Sequence, residues 1–496
     1  MELAGNEYDL IVIGGGINGT GIAADAAGRG LKVLLCEQSD LASATSSNSS
    51  KLIHGGLRYL EHYELRLVKE ALAEREILLK KAPHIMWPLT FRLPHQLHLR
   101  PAWMIRVGLF MYDHLASRVS LPSSKSIKFG ENSVLKPTIV KGFEYADGWV
   151  DDSRLVVLNA LAAEEKGATV ATRTKCIQAY RQNNMWQVVL EHQESKLQYT
   201  VSAKGIVNAS GPWVAKLFDD AFTERSPQKI RLVKGSHIVV PRIHNESQAY
   251  ILQSKDKRIV FVIPFEDNYS LIGTTDVEYE GAAPDVKISD HEIDYLIEIT
   301  NSYFKNQISR KDIVHTFSGV RPLLDDESVN AQTVTRDYKL ELSSIDNQTP
   351  LLSVFGGKIT TYRKLAEAAM NKLGFFYPDM TGPWTKSSPL PGGDFDSVAQ
   401  FKKELSELYS WLPTELLNRF VRSYGTRTKK ILENKKCLAD LGQNFGHDLF
   451  AAEVDFLFNE EWAYNAECVL WRRTKLGLRL SESEVKVLES YIKSLG

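Results

Sequence analysis

A short apolar segment and a glycine-rich turn near the amino terminus constrain the fold of this chain more than any other feature. The segment is Asp9-Leu-Ile-Val-Ile-Gly-Gly-Gly-Ile-Asn-Gly19, and Lys32-Val-Leu-Leu-Cys36 precedes an acid, Glu37, 18 residues after the last glycine. This order predicts a strand, a tight turn, a helix beginning near Asn18, a second strand and an acidic end. Such a turn brings backbone N–H groups to a pyrophosphate, and the acid is placed to accept from a ribose. The motif predicts a bound dinucleotide; the alternative is a purely structural strand–helix–strand turn.

The composition is that of an ordinary globular protein. Its 496 residues, 43% hydrophobic and 24% charged, predict about two to four domains. The net charge of −1 gives no general reason to expect a nucleic acid or an anionic membrane as partner. The four cysteines are scattered without a Cys-x-x-Cys pair, so we expect no disulfide framework and no metal site, and a reducing, cytoplasmic compartment. We also expect no signal peptide and no membrane-spanning segment.

The segment 97–112 differs from the rest of this ordinary globular composition, because it combines aromatic, aliphatic and basic residues. It is too short and too charged to cross a bilayer. One interpretation places it in a membrane interface, with Trp103 and Tyr112 at headgroup depth and Arg100 and Arg106 near phosphates. The other interpretation is a buried helix that links two domains.

The order of strand-like and helix-like segments predicts a protein of the α/β and α+β classes with three parts. The first is a discontinuous Rossmann-like cofactor domain, the second a substrate-binding or cap domain with an antiparallel sheet, and the third a C-terminal helical domain. The predicted ranges are 1–85, 150–215 and 351–387 for the first, 86–149 and 216–350 for the second, and 394–496 for the third.

Individual elements can also be predicted within these parts. The apolar runs His237–Val240 and Arg258–Ile263 are typical of antiparallel strands. Leu65, Val68 and Leu72 recur at helical spacing and predict a helix face in the core. Asp152-Ser-Arg154 can cap the helix that follows it.

The C-terminal part carries helix signals but no catalytic constellation. Ser481 and Glu484 form a capping box ahead of an apolar run. The basic residues Arg472, Arg473 and Lys475 are expected to form a solvated face.

Seven further motifs accompany the glycine turn, and among them His54-Gly-Gly-Leu-Arg-Tyr59 together with Gly319-Val-Arg-Pro322 is much more specific than the turn itself. They are Ser46-Ser-Asn-Ser-Ser-Lys-Leu-Ile-His-Gly-Gly-Leu-Arg-Tyr59, Asn208-Ala-Ser-Gly-Pro-Trp213, Leu232-Val-Lys-Gly-Ser-His-Ile-Val239, Ile272-Gly-Thr-Thr-Asp276, Ser318-Gly-Val-Arg-Pro322, Phe355-Gly-Gly-Lys-Ile-Thr-Thr-Tyr-Arg363 and Leu470-Trp-Arg-Arg-Thr-Lys475. With the glycine turn they extend over essentially the whole chain, which resembles the FAD-dependent glycerol-3-phosphate dehydrogenases of the bacterial aerobic, respiratory type.

The resemblance implies an activity, a cofactor and partners. The expected reaction is oxidation of sn-glycerol 3-phosphate to dihydroxyacetone phosphate by hydride transfer to noncovalently bound FAD. The electrons would then pass to ubiquinone or menaquinone. The protein would lie peripherally on the inner face of the cytoplasmic membrane as a homodimer.

The residues expected to bind FAD come from four segments of the chain. The first two, the glycine turn with its acid and the hydroxyl-rich loop, give Gly14, Gly15, Gly16, Asn18, Gly19, Glu37, Thr45, Ser46, Ser47, Ser50 and Lys51. The other two, small-residue turns that allow close approach of a ligand, give Ser210, Gly211, Gly357, Lys358, Ile359 and Thr360.

The expected substrate site needs a phosphate clamp and a base. Arg321 and Arg58 are the best clamp candidates because guanidinium–phosphate bonds are strong, although each can instead form a structural ion pair. The residues expected to bind substrate are Arg58, Tyr59, Thr274, Arg321 and Lys358. Lys358 has a second possible role, the stabilisation of negative charge on the reduced flavin.

A histidine is the better candidate for the base that accepts the hydroxyl proton, because arginine does not readily lose its proton. We place His54 first and His237 second; each can instead be a core histidine with a satisfied ring.

Three alternative functions stay open at this level. The first is an FAD-dependent glycerol-3-phosphate oxidase that uses O₂, or a flavoprotein that oxidises another hydroxy or amino substrate. The second is a NAD-dependent dehydrogenase that uses the glycine turn for nicotinamide. The third is an interaction role for residues 394–496, which can coexist with catalysis.

Overall fold

Two β-sheets lie at the centre of the computed structural model, which describes residues 5–57, 64–96, 99–116, 119–222, 224–254, 258–325 and 337–496. The strands of the amino-terminal half are β1 (Glu7–Ile13), β2 (Val33–Cys36), β3 (Leu52–Ile53), β4 (Met86–Pro94), β5 (Lys125–Lys128), β6 (Lys141–Val150), β7 (Thr169–Ala171), β8 (Thr174–Gln182), β9 (Met185–His192) and β10 (Gln198–Asn208). Those that follow are β11 (Ile230–Pro241), β12 (Ala249–Gln253), β13 (Ile259–Phe265), β14 (Tyr269–Gly273), β15 (Val277–Glu278), β16 (His315–Leu324), β17 (Lys339–Ile345) and β18 (Gln348–Phe355).

The first sheet has the order β17-β18-β10-β1-β2-β7, and β9 joins it to β8. Strands β18, β10, β1, β2 and β7 run parallel, whereas β17 and β9 are antiparallel to their neighbours. Ile13 is in register with both Asn208 and Cys36. The carboxyl ends of these parallel strands therefore meet at one edge, which is where open sheets of this kind bind ligands.

The second sheet has the order β15-β11-β14-β13-β12-β4-β6-β3, with β16 paired to β11 and β5 to β6. Most of its strands pair antiparallel; β12 and β4 are parallel. The predicted strands around His237 and Arg258 belong to β11 and β13, which flank β14 in the antiparallel arrangement that the sequence predicts.

Helices cover the sheets and form the C-terminal part. They are α1 (Ile17–Gly28), α2 (Leu65–Lys81), α3 (Ala102–His114), α4 (Asp152–Glu164), α5 (Lys216–Asp220), α6 (Asp290–Tyr303), α7 (Tyr362–Leu373), α8 (Val398–Leu408), α9 (Thr414–Tyr424), α10 (Thr428–Ile431), α11 (Ala451–Glu461) and α12 (Glu482–Leu495). Helix α1 is rich in alanine and glycine, so it packs closely on α4 and α7. The capping box of Ser481 and Glu484 is present at the start of α12.

Two strands fall outside the predicted domain ranges. Residues of β17 were expected in the substrate domain, but β17 forms a tight hairpin with β18 and extends the first sheet. Residues of β3 were expected in the cofactor domain, but β3 pairs with β6 in the second sheet. The division of the chain into three domains otherwise stays a prediction.

Two smaller expectations are also corrected. Val68 and Leu72 are buried as predicted, whereas Leu65 is 40% exposed because it lies in the first turn of α2. The cap of α4 is Asp151, whose carboxylate accepts from the Arg154 N–H at 3.1 Å, rather than the residue after it.

The basic residues of the C-terminal part are not a solvated face, contrary to the sequence-based expectation. Arg472, Arg473 and Lys475 are all buried. The two guanidinium groups pair with Asp40, and the Lys475 ammonium pairs with Asp151 at 3.0 Å. Buried charges need partners. Asp40 follows β2 of the first sheet and Asp151 follows β6 of the second sheet, so ion pairs join the C-terminal part to both sheets.

Within the described ranges, no helix combines the length and the apolar character that crossing a membrane requires.

Candidate active site

The glycine turn after β1 has the geometry that the motif predicts. Gly14 has a φ of +115°, and a Cβ atom there would lie 2.6 Å from the carbonyl oxygen of Ala209. The Gly14 N–H donates to the Cys36 carbonyl at 2.9 Å. A Cβ on Gly19 would lie 1.9 Å from the Gly14 oxygen, so this glycine permits the close approach of α1 to the turn. Larger residues at both positions would push the strand ends apart.

The amino terminus of α1 is joined to two of the other predicted segments. The Ile17 N–H donates to Ser46 Oγ at 3.0 Å, which brings the hydroxyl-rich loop over the helix end. Asn18 Nδ2 donates to the Gly356 carbonyl at 3.1 Å. Its Oδ1 atom is buried and has no hydrogen-bond partner among the residues that the structure describes. A buried acceptor of this kind is costly unless a ligand donates to it.

Glu37 lies at the end of β2, where the motif places it. Its carboxylate accepts from the Gly15 N–H at 2.6 Å and the Ser39 N–H at 2.8 Å. Burial raises the pKa of Glu37, and the two backbone donors partly offset this effect. A carboxylate has about four acceptor sites, so it can still accept from ribose hydroxyls.

One large cleft runs along these strand ends, with a volume of about 1640 Å³. Sites for drug-sized ligands occupy roughly 300–1000 Å³, so this cleft has room for a dinucleotide and a small substrate together. The predicted residues that line it are Gly14, Gly15, Gly16, Asn18, Glu37, Thr45, Ser46, Ser50, His54, Ser210, Gly211, Thr274, Arg321, Gly357, Lys358, Ile359 and Thr360. Arg58 and Tyr59 lie outside the described residues.

Two residues predicted to bind the cofactor are directed elsewhere. Lys51 is buried, and its ammonium donates to Asp152 Oδ1 at 2.7 Å and to the Ser47 carbonyl at 3.0 Å. The Ser47 hydroxyl donates to the Ala44 carbonyl. Both side chains therefore stabilise the conformation of the hydroxyl-rich loop. Lys51 is held there because the buried Asp152 carboxylate requires a cation.

Arg321 combines the two roles that the sequence left open. Its guanidinium pairs with Asp276 and donates from Nη2 to Thr274 Oγ1 at 3.3 Å. A Cβ on Gly235 would lie 2.8 Å from Nη2, so the glycine on β11 makes space for this group. The guanidinium is 27% exposed, and it lines the cleft. Five N–H donors leave it able to bind an anion while Asp276 orients it.

Asp276 is a site residue that was not predicted from the sequence. It lies two positions after Thr274 and three residues beyond the end of β14. An acid at a strand end, in the same motif as a predicted substrate ligand, was the available signal.

The two candidate bases differ in their position. His54 lines the cleft, and its backbone N–H donates to Thr360 Oγ1 at 3.3 Å, which joins it to the turn after β18. His237 is buried and stacks on Phe317 with ring centroids 4.7 Å apart.

His237 is therefore not placed as a direct base. Its Nε2 atom is hydrogen-bonded to Ser50 Oγ at 3.0 Å. Of these two residues, Ser50 lines the cleft and His237 does not. Burial, with Arg321 and Lys51 nearby, lowers the pKa of His237 well below its usual value, so its ring is neutral at physiological pH. A Cβ on Gly273 would lie 2.1 Å from the His237 ring, so this glycine leaves the space that the buried ring occupies.

The parallel sheet, the glycine turn and the cleft define the class of protein, an oxidoreductase that binds a dinucleotide along the carboxyl ends of its strands. The glycine cradle and the buried Asn18 oxygen fit FAD. The chain matches the family described as FAD dependent oxidoreductase over residues 9–363, and the C-terminal domain of alpha-glycerophosphate oxidase over residues 383–496. It belongs to the FAD dependent oxidoreductase family, which confirms the predicted cofactor and enzyme class.

Individual relatives are similar over nearly the whole chain. The aerobic glycerol-3-phosphate dehydrogenase of Escherichia coli K12 is 57% identical, over 96% of this chain and 95% of the relative. The D-erythritol 1-phosphate dehydrogenase of Brucella abortus is 50% identical, over 96% of each. Among solved structures, the glycerol-3-phosphate dehydrogenase from Bacillus halodurans complexed with FAD matches with a TM-score of 0.75 and 24% identity, over 99% of this chain and 95% of that one. The predicted fold class and the resemblance are confirmed.

Proposed function

We propose that this protein oxidises sn-glycerol 3-phosphate to dihydroxyacetone phosphate and passes the electrons to a membrane quinone. The observation that carries the proposal is the placement of Arg321, Lys358 and His54 in one cleft with the glycine turn. The identity of 57% with a relative named for glycerol-3-phosphate supports the choice of substrate.

The proposed phosphate clamp is formed by Arg321 and Lys358, with Thr274 as a neutral ligand. Asp276 holds the Arg321 guanidinium in one orientation, which reduces the entropy lost when a phosphate binds. Lys358 lies directly after the turn of Gly356 and Gly357, and α7 begins a few residues further on. Lys358 lines the cleft with the glycine turn, and an ammonium there can stabilise either the phosphate of the substrate or negative charge on the reduced flavin.

The proposed base is His54, which accepts the proton of the C2 hydroxyl. Bound FAD supplies the acceptor for the hydride that leaves the same carbon. The contact between the His54 N–H and Thr360 fixes the base relative to the turn after β18. Ser50 lines the same cleft as His54, and the buried, neutral His237 ring can orient the Ser50 hydroxyl.

The proposed membrane contact is the outer face of α3. Trp103 is 66% exposed, Phe110 55% and Val107 50%, and Met104 and Met111 lie beside them. A cluster of exposed apolar side chains on one helix is typical of an interfacial contact. Met104, Val107 and Met111 also line the cleft, so the same helix adjoins the mouth through which a quinone would approach.

Two details of the expected interface differ in the structure. Tyr112 is buried and donates to Asp147, so it does not lie on the outer face. Arg106 donates to Ser124 Oγ at 2.7 Å. The ubiquinone or menaquinone acceptor, the location on the inner face of the cytoplasmic membrane and the homodimer are parts of this proposal that the resemblance supports.

Anaerobic addition of substrate to the yellow holoenzyme tests the reaction. The flavin absorbance near 450 nm should bleach with sn-glycerol 3-phosphate and return when a soluble quinone is added. D-erythritol 1-phosphate is the comparison substrate, because a relative is named for it. Faster bleaching by the longer polyol would contradict the proposed substrate, and stoichiometric peroxide in air without quinone would indicate an oxidase instead.

A further inference from the structure

Four residues of the C-terminal part, in the segment between α11 and α12, line the same cleft as the glycine turn. They are Asn465, Glu467, Cys468 and Arg472, here called the C-terminal wall. The cleft also includes Glu37, Gln38, Ser39 and Asp40, the segment that follows β2. Because an acid at the end of the second strand faces a ribose, this end of the cleft is the one that receives the adenosine half of a dinucleotide.

The C-terminal wall is held against this segment by buried ion pairs. Arg472 Nε donates to Asp40 Oδ2 at 2.5 Å, and Arg473 donates to both oxygens of Asp40 at 3.0 and 2.9 Å. Arg472 also donates to Glu467 at 2.6 Å, a member of the wall. Burial alone would raise the pKa of Asp40, but the two guanidinium groups outweigh it and lower the pKa. Asp40 is therefore a fixed, charged anchor three residues from Glu37.

A second contact to the same segment comes from Arg173, which lies between β7 and β8. The Arg173 N–H donates to the Ser39 carbonyl at 2.8 Å, and the Arg173 guanidinium lies 5.0 Å from the centroid of the Tyr464 ring. Its Nη1 atom pairs with Glu194 at 2.8 Å. Its Nη2 atom is buried and has no hydrogen-bond partner among the residues that the structure describes, although the residue lines the cleft.

We propose that the C-terminal helices complete the FAD site at its adenosine end. Arg472 positions Asp40, and with it the segment that carries Glu37, while Tyr464 holds Arg173 so that its Nη2 donor faces the adenosine half. Arg472 and Tyr464 are positioning residues in this scheme, because each acts through another side chain. The C-terminal helices then set how long the enzyme retains its cofactor, whatever the substrate oxidised.

The release of FAD from diluted holoenzyme tests this proposal. Free FAD fluoresces more strongly than the bound form, so release can be followed directly after dilution. Arg472→Gln should accelerate release by about tenfold or more, because it loosens the segment that carries Asp40 and Glu37, and affinity changes at one site fall mainly on the dissociation rate. Tyr464→Leu, a milder change that keeps an apolar side chain, should accelerate it about threefold. The absorbance band of the bound flavin should keep its shape in both variants.

Arg419→Gln is the matched control. Arg419 forms a forked pair with the buried Glu453 at 2.6 and 2.7 Å, inside the C-terminal helices and outside the cleft lining of the described residues. Arg419→Gln should lower the melting midpoint of the protein and leave the rate of FAD release within twofold of wild type. Release must be measured well below the melting midpoint of each variant. Equal acceleration in all three variants, or none in Arg472→Gln and Tyr464→Leu, would overturn the proposal.

Discussion

Arg321 is the described residue whose loss should most weaken substrate binding. Arg321→Ala removes a charged donor to the proposed phosphate, and such a bond contributes about 1.5–3 kcal/mol. We expect kcat/KM for sn-glycerol 3-phosphate to fall by more than about tenfold. Steady-state kinetics with a soluble quinone measure this change.

Arg231→Ala is the control for that measurement. Arg231 lies on β11, pairs with the exposed Glu278, and is not among the described residues that line the cleft. Its kinetics should match those of wild type. Unchanged kinetics in Arg321→Ala would remove Arg321 from the substrate site.

His54 is expected to act in the chemical step rather than in binding. His54→Gln retains a side chain of similar length but cannot accept the proton in the same way. Flavin reduction should slow by roughly 10²-fold or more, with FAD content unchanged. Stopped-flow reduction at saturating substrate measures the step directly. His237→Gln should slow it less, because His237 reaches the cleft only through Ser50; the reverse order would exchange the two roles.

At the scale of elements, helix α3 presents a surface that core packing does not require. Trp103→Glu combined with Phe110→Glu places two charges on its outer face, where they would be costly in a membrane interface. We expect binding to liposomes with anionic lipid to be lost and quinone reduction in the liposomes to fall, while bleaching of the flavin by substrate is unchanged.

The control changes two exposed apolar residues elsewhere. Phe375 is 73% exposed and Leu408 is 62% exposed, and neither lies on α3. Phe375→Glu with Leu408→Glu should leave liposome sedimentation as it is in wild type. Intact sedimentation of the α3 variant would place the membrane contact on another surface.

The sequence predicted elements well where local chemistry determines them. The turn at Gly14 and the capping box of Ser481 have few alternatives, because a positive φ and free helix N–H groups restrict the residue types. Partners distant in the chain were not predictable. Lys51 is a residue type that commonly binds phosphate, but its ammonium pairs with Asp152, about a hundred residues later in the chain. The sequence likewise predicts a solvent-exposed Arg472, because its partner Asp40 lies near the other end of the chain.

At the scale of the whole molecule, ion pairs between the C-terminal helices and the cofactor domain predict acid sensitivity. Burial would raise the pKa of Asp151, but Lys475 and Lys51 outweigh it and hold the pKa at about 2, against an ordinary value of 3.8. A lowered carboxylate pKa contributes stability that is present above the ordinary value and is lost as the pH falls towards the folded value. The contribution is on the order of 2 kcal/mol.

Unfolding by denaturant at two pH values measures this contribution. Between about pH 6 and pH 3, wild type should lose more stability than Asp151→Asn, whose side chain does not titrate. Asp290→Asn is the control, since Asp290 is 82% exposed and pairs only with an exposed arginine among the described residues. An identical pH dependence in Asp151→Asn and wild type would contradict the assigned role.

The strand order of the first sheet has a consequence for synthesis on the ribosome. β10 lies between β1 and β18, so the turn that carries Lys358 joins the glycine turn only after three distant stretches of polypeptide have assembled. A nascent chain that ends before residue 361 lacks one side of the pocket and exposes a parallel edge. The complete FAD pocket can therefore form only late in translation, after β18 and the turn that follows it have been synthesised.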